Sequence, residues 1–346
     1  MVHSKRLFLV FFVCILFLLS GNVNAQLSTF GKEFYFGLME NNLKSNNIDK
    51  AVISITAREE AIGSIQYANQ TINFSLGQNE VFTHEILSSD IDVLHRTSGV
   101  IENKGIIISS SGQISVHAFN LRRTSSDASV ILPVKTLGRE YLVTSHFNDM
   151  SLYVDNLEST MLIVAVEDQT RVEITPSVNT VNGKTAGVPF EILLNSRQSY
   201  QLKAEGDLTG SFVRVLGPET DVCKKIAVFG GNKMTQAGDC NGTADHLFQQ
   251  SYPIDFWGTS FIHVPMLDKS SGELVKVLAS EDGTQITVDG QVVQTLNARQ
   301  FFTFDFDASK PRVIEGSKPI SVTAIAKSQD CDSSGSTLGD PTMISY

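Results

Sequence analysis

Two acidic pairs, Glu167-Asp168 and Glu281-Asp282, are the first residues that invite a chemical reading. Two carboxyl groups held about 5 or about 6.5–9.5 Å apart can hydrolyse a glycosidic bond. Both pairs, however, occupy one local pattern, in LIVAVEDQTRVEI (162–174) and VKVLASEDGTQITV (275–288). A strand-like run meets Glu-Asp-x-Thr and then alternating β-branched residues, which is a hairpin signal. One active site is rarely duplicated this way, so turn chemistry is the expected role. A nucleophile–base pair needs Ser or Cys beside His. His84, His95, His117, His146, His246 and His263 are scattered, and neither a GxSxG elbow nor an HExxH helix is present. His117 and His263 sit in strand-like runs, where a solvent-facing or hydrogen-bonded side chain is expected. Asp330, Asp332 and Asp340 crowd a Ser/Gly-rich tail and are hard oxygen ligands of the calcium type, but EF-hand spacing is missing and a solvated loop is expected. Gly230-Gly231-Asn232-Lys233 follows a strand without the spacing of a phosphate loop, and predicts a turn of unusual backbone angles. The expectation is therefore a chain with no catalytic, cofactor or metal residues.

Cys223 and Cys240 lie 17 residues apart and are the disulfide candidates. A loop of that length would gain about 3 kcal/mol by chain entropy, given suitable geometry. Cys331 is then odd, either free or paired outside the chain. No CxxC pair or paired-His spacing supports zinc. Trp257, the one tryptophan, could be a binding anchor. Phe30 and Leu137 hold the equivalent place, so core packing is expected. Asn69-Gln70-Thr71, Asn73-Phe74-Ser75 and Asn241-Gly242-Thr243 are glycosylation sequons.

What positions these residues is set by compartment and fold. Lys5 and Arg6 precede an apolar run of 13 residues, Leu7 to Leu19, and Val23-Asn24-Ala25 offers a cut after Ala25. This pattern reads as a secretory signal peptide over residues 1–25, too short for a bilayer span of about 20 residues. Without it the chain holds 25 basic and 37 acidic residues, a charge of −12. No later run is apolar enough to span a membrane as a helix. Lys and Arg do not cluster, which argues against nucleic acid as a partner. With 42% hydrophobic and 18% charged residues, the chain is not of the disordered class.

Four blocks then recur in order. The first is a large apolar residue, Gly, two polar residues and an aromatic: Phe30-Gly31 to Phe34, Leu137-Gly138 to Tyr141, and Trp257-Gly258 to Phe261. Pro133 and Pro253 precede the last two. The hairpin with Glu-Asp-x-Thr comes second, with Val52 to Tyr67 as a weaker copy. Third is Leu-x-x-x-Glu/Gln-x-aromatic: Leu76, Glu80, Phe82; Leu194, Gln198, Tyr200; Leu296, Gln300, Phe302. Fourth is a pair of short strands split by polar residues, as in Ile106-Ile107-Ile108 followed by Ile114 and Val116. Helical periodicity is nearly absent; residues 38–48 read as a short helix or a loop. These spacings predict an all-β chain of tandem β-sandwich-like units, three internal repeats of about 110 residues. The units are 26–133, 134–253 and 254–346, the last truncated at its C-terminal end. The alternative is a six-bladed β-propeller, two blades per unit.

The order of motifs resembles the N-terminal domain of the IgGFc-binding protein family. The matching stretches are FGKEFYFGLMEN (30–41), SSDASVILPVKTLGREYLV (125–143), DLTGSFVRV (207–215), IAVFGGNKM (226–234), DHLFQQSYPIDFWGTSF (245–261), VLASEDGTQITVDG (277–290) and SSGSTLGDPTMI (333–344). The most specific element is GGNK followed by DHLFQQ, a proline and Trp-Gly. Many members carry cysteines where this chain has Met234 and Ala244, so the resemblance implies that the family's local disulfide is absent or re-paired here. It also implies a secreted or cell-surface, non-catalytic binding or adhesion module. The partner so implied is an extracellular glycoprotein or an immunoglobulin-like protein. Rival readings are an exported polysaccharide-active hydrolase and a structural spacer of a longer surface protein.

Overall fold

The structure is a computed structural model that describes residues 28–42, 49–147, 157–218, 224–240, 242–332 and 339–346. The signal-peptide and Ala25 expectations, Cys223 and Asn241 fall outside these residues. Among the described residues every long element is a strand, as the β-branched alternation predicts. Part of the 38–48 segment is described; there Leu38 forms an isolated bridge with Leu94 and no helix is present.

The first strands are β1 (Gly31–Phe36), β2 (Lys50–Ala57), β3 (Ala61–Tyr67), β4 (Gln70–Leu76), β5 (Val81–Leu87), β6 (Ile101–Glu102), β7 (Ile106–Arg122) and β8 (Ser125–Ile131). The middle ones are β9 (Glu140–Leu142), β10 (Ser159–Ala165), β11 (Thr170–Thr175), β12 (Phe190–Leu194), β13 (Ser199–Ala204), β14 (Phe212–Val215), β15 (Ile226–Thr235) and β16 (Asp245–Gln250). The last are β17 (Gly258–His263), β18 (Glu273–Ala279), β19 (Thr284–Val288), β20 (Gln291–Leu296), β21 (Phe301–Phe306), β22 (Arg312–Ala326) and β23 (Met343–Ser345).

The first sheet has the order β4-β3-β7-β2-β5, with β1 and β8 also paired to β7. The last sheet has the order β20-β19-β22-β18-β21, with β17 and β23 paired to β22. Element for element the two orders are the same. The middle strands form two sheets, β16-β15-β10-β13-β6 and β12-β11-β14-β9. The same neighbours recur there, with the long strand divided into β14 and β15. The fourth sequence block thus differs from expectation: its two halves are one continuous strand in β7 and β22, and are split only in the middle. Propeller blades are consecutive meanders, and this order is not one.

Each long strand serves two layers. The N-terminal half of β7 pairs β1 and β3, and its C-terminal half pairs β2 and β8. Apolar residues from the layers meet between them. One core holds Phe34, Ile53, Ile65 and Val116, and continues into Leu162, Phe229 and Phe248 of the middle sheets. A second lies between the two middle sheets around Tyr141, Ile163 and Val213. The third, around Val277, Ile314 and Val322, belongs to the last sheet. The recurring glycine also has a packing cause. A Cβ on Gly31 would overlap the ring of Pro133, and one on Gly138 that of Pro253. Each proline caps a short 3₁₀ turn, Val134–Thr136 or Ile254–Phe256, that leads to the next sheet.

Candidate functional site

The acidic pairs are turn residues. Asp168 Oδ1 accepts the Ser196 N–H at 2.9 Å, and Asp282 Oδ1 accepts the Ala298 N–H at 2.9 Å. Thr170 and Thr284 donate to the carbonyls of Glu167 and Glu281, each at 2.7 Å. The facing turn is built by the third sequence block. Side-chain oxygens of Glu80, Gln198 and Gln300 accept the N–H groups of Gly77, Asn195 and Asn297 at 2.8, 2.8 and 2.9 Å. The preceding residues, Asn79, Arg197 and Arg299, take left-handed angles (φ 64°, 69° and 70°). Their N–H groups bond to Ala57, Ala165 and Ala279. Two turns are laced into one corner, three times over. Of the carboxylates that a hydrolase reading would need, those of Asp168 and Asp282 are engaged with backbone amides, and that of Glu281 faces Lys318 at 3.6 Å.

The histidines do not converge. His95 is bound by the Leu38 carbonyl at 2.8 Å and the Ser199 hydroxyl at 2.6 Å, and burial pulls it down to about 4. His246 is held by Asn120 at 3.0 Å and the Asn232 carbonyl at 2.8 Å, and burial likewise lowers it to about 4. His263, on β17, bridges Tyr346 and Glu273. His84 meets the Tyr67 hydroxyl at 3.0 Å. His117 is half-buried on β7, and burial lowers its pKa. His146 alone among them has two buried ring nitrogens without a hydrogen-bond partner.

The Gly230-Gly231-Asn232-Lys233 stretch is a correction to expectation. It lies inside β15 and has no positive φ. Glycine is needed there because a Cβ on Gly230 would overlap the Thr144 carbonyl, and one on Gly231 the Leu247 carbonyl. Asn232 donates to the His146 carbonyl at 2.9 Å. Lys233 joins a buried quartet, contacting Glu158 at 3.0 Å and Glu40 at 3.4 Å, while Lys203 meets Glu40 at 2.7 Å. The DHLFQQ segment is β16, which lies beside β8. Side chains there replace a backbone ladder: Asp127 accepts the Phe248 N–H at 2.8 Å, Asp245 the Ser126 N–H at 2.5 Å, and Ser129 the Gln250 N–H at 2.9 Å. The motif residues that look most like a site fasten the first sheet to the middle ones.

Cys240 is bonded to Cys331, with Cα atoms 5.1 Å apart and a sequence separation of 91. The expected Cys223–Cys240 loop is therefore not formed, because Cys240 is already taken. The loop after β15 is carried onto the turn after β22, where Ala237 and Ser328 exchange hydrogen bonds. Met234 and Ala244 share one small apolar cluster with Leu157. Asp330 accepts the Thr243 N–H. Asp332 pairs with Lys269 at 2.7 Å; burial pushes its carboxyl up, but the bonds from Lys269 and Ser271 outweigh this and hold it at about 2. Among the described residues no group of three or more His, Cys, Asp or Glu is placed to hold a metal. Trp257 is half-buried, and its indole N–H is held by the Tyr252 carbonyl at 3.2 Å. Asn69 and Asn73 are exposed on the β3–β4 hairpin.

Two residues inside the recurring blocks were not among the candidates read from the sequence. Tyr141 donates its buried hydroxyl to the Ile226 carbonyl at 2.7 Å and accepts the Gly138 N–H at 2.8 Å. Lys276, 2% exposed, contacts Asp207 and donates to the Ser145 carbonyl at 2.7 Å. The visible sign was a lysine in the apolar run ELVKVLA.

One hollow of about 550 Å³ is lined by Arg139, Glu140, Arg214 and Asp255, among others. Another, of about 470 Å³, lies at the first corner beside Glu59, Glu60 and Gln78. Opposite charges face each other in the first, so it carries no strong preference for ligand sign. No described helix is long and apolar enough to cross a membrane.

Comparison with known proteins places these elements. The human IgGFc-binding protein is 28% identical over 184 residues, 53% of this chain, and the chain spans 3% of that relative's length. Two solved structures align over most of the chain at low similarity. A bacterial ice-binding adhesin involved in host cell surface retention is 12% identical, covers 87% of this chain and 86% of its own, and has a TM-score of 0.13. The major pilin of Streptococcus pyogenes is 8% identical, covers 91% and 98%, and has a TM-score of 0.16. At those scores neither bears on the fold. The IgGFc binding protein family pattern matches residues 127–346, from the β8–β16 contact through the corners to the last strand. With that pattern running through more than half its length, the chain belongs to the IgGFc-binding protein family.

Proposed function

We propose that the chain is a secreted or cell-surface, non-catalytic binding or adhesion module that recognises an extracellular glycoprotein or an immunoglobulin-like protein. Its scaffold is read as three tandem β-sandwich units with boundaries near residues 133 and 253. The observation that carries this reading is the triplicated corner. The acidic pairs, the glutamines and the positive-φ residues hold turns together, so the residues best suited to chemistry do structural work. A rigid sheet scaffold leaves recognition to loops and turns. Family membership supports an extracellular binding role. Export rests on the leader and its predicted cut after Ala25.

The test is saturable binding of the labelled, exported chain to immobilised mucin, immunoglobulin and a glycoprotein panel. Salt-resistant binding to one of these classes is expected. Equal background on all of them refutes the reading.

A further inference from the structure

We propose that Lys276 and Asp207 condense into an intramolecular amide bond that joins the last sheet to the middle sheets. Lys276 sits on β18 between Val275 and Val277, which face the last core. Its own side chain takes the opposite face, toward the middle sheets, and is buried. The ammonium contacts Asp207 Oδ2 and also reaches the Ser145 carbonyl at 2.7 Å and Thr209 Oγ1 at 3.3 Å. The Phe301 ring, with its centroid 5.0 Å from Nζ, walls one side. Asp207 Oδ1 is fixed by the Thr209 N–H at 2.9 Å and hydroxyl at 2.6 Å. Thus one carboxylate oxygen is held and the other contacts the amine, which brings nucleophile and acyl group together in one closed site.

Burial pulls the lysine ammonium below its usual value. The buried His146 makes no hydrogen bond to either group, which leaves Asp207 itself as the acceptor of the lysine's proton. A desolvated lysine is an activated nucleophile. The buried quartet lacks such one-to-one pairing, because Glu40, Glu158, Lys203 and Lys233 neutralise one another as a shared set. The register equivalents of Lys276 are Ser54 and Leu162, so this lysine is outside the recurring framework.

The step balances without a co-reactant. The ammonium gives one proton to Asp207 Oδ2, which it contacts, and the nitrogen lone pair so freed forms a bond to Asp207 Cγ. The tetrahedral intermediate then loses the Cγ–Oδ2 bond. The departing oxygen already carries that proton, takes a second from the nitrogen and leaves as water. An ammonium and a carboxylate become an uncharged amide, which removes two ions from a buried site where each is costly.

The experiment is mass spectrometry of the intact, denatured and reduced full chain, followed by proteolytic mapping. The expected wild-type mass is one water below the sequence mass after processing, with a Lys276–Asp207 cross-linked peptide. Asp207→Asn is expected to lose one ammonia instead, and Asp207→Ala nothing. Lys276→Arg, with its fold checked by circular dichroism, is expected to keep its full mass. A folded wild-type chain that keeps its full mass after prolonged incubation overturns the proposal and leaves an ion pair. The wild-type mass alone decides between bond and ion pair, so the proposal stays testable even if a variant misfolds.

Discussion

Breaking the Cys240–Cys331 bond tests how the last sheet is held to the middle ones. The bond closes a segment of 91 residues, whereas the loop expected from sequence spans 17. Loop-closure entropy gives about 4.5 kcal/mol for the longer segment at 25 °C and about 3 kcal/mol for the shorter. If the last sheet unfolds while the middle sheets stay folded, the freed chain is only slightly shorter and the logarithm barely changes. The paired Cys240→Ser and Cys331→Ser variant should therefore lose about 3–4.5 kcal/mol. Cys223→Ser should change stability by less than about 0.5 kcal/mol. Urea unfolding followed by fluorescence is suitable, because Trp257 lies near Leu142 and Met343, where the middle and last sheets meet. A loss below about 1 kcal/mol in the paired variant, or an equal loss in Cys223→Ser, would refute the reasoning.

Removing one oxygen in Tyr141→Phe leaves the Gly138 N–H and the Ile226 carbonyl unpaired in a buried site. About 2–4 kcal/mol should be lost, since each orphaned group costs about 1–3 kcal/mol; urea midpoints check this, and a loss under about 0.5 kcal/mol contradicts it. Burial pushes the carboxyls of Asp127 and Asp245 up to about 7 from an ordinary value of 3.8. The folded chain keeps these protons to higher pH than the unfolded chain. Their contribution is complete below the unfolded value and disappears as pH rises through about 7. Buried neutral His95, His146 and His246 work in the opposite direction over the same range, so the variant isolates the effect: from pH 5 to pH 8 the stability of the wild type relative to Asp127→Asn should fall, and a constant difference would exclude Asp127 as a source.

Much of the framework could be read from residue order, because it is local. Glu-Asp-x-Thr marks a turn through contacts within a few residues, and period-two alternation marks strands such as β19. The all-β class and the structural role of the acidic pairs follow from that locality. What depends on how sheets pack was hidden. Cys331 reaches Cys240 only because the loop after β15 lies on the turn after β22. Gly230 and Gly231 looked like turn residues, yet they are small because neighbouring carbonyls approach the middle of a strand. Lys276 stands in an apolar run with nothing local to name its partner, and Asp207 reaches it from the segment between β13 and β14.

The pairing of first and last strands to one long strand has a mechanical consequence. On β7, the chain arrives with Gly31 opposite Ile114 and departs with Ile131 opposite Val116. Phe34 and Pro133 form a bridge beside this point. On β22, Gly258 lies opposite Ile320 and Ser345 opposite Thr323. A pull along the backbone thus comes in and goes out at nearly the same spot. Tension crosses this short staple while β2 to β5, or β18 to β21, stay slack. Sheets strung in this way act as beads on a taut cord, each keeping its shape while the connections between them take the strain.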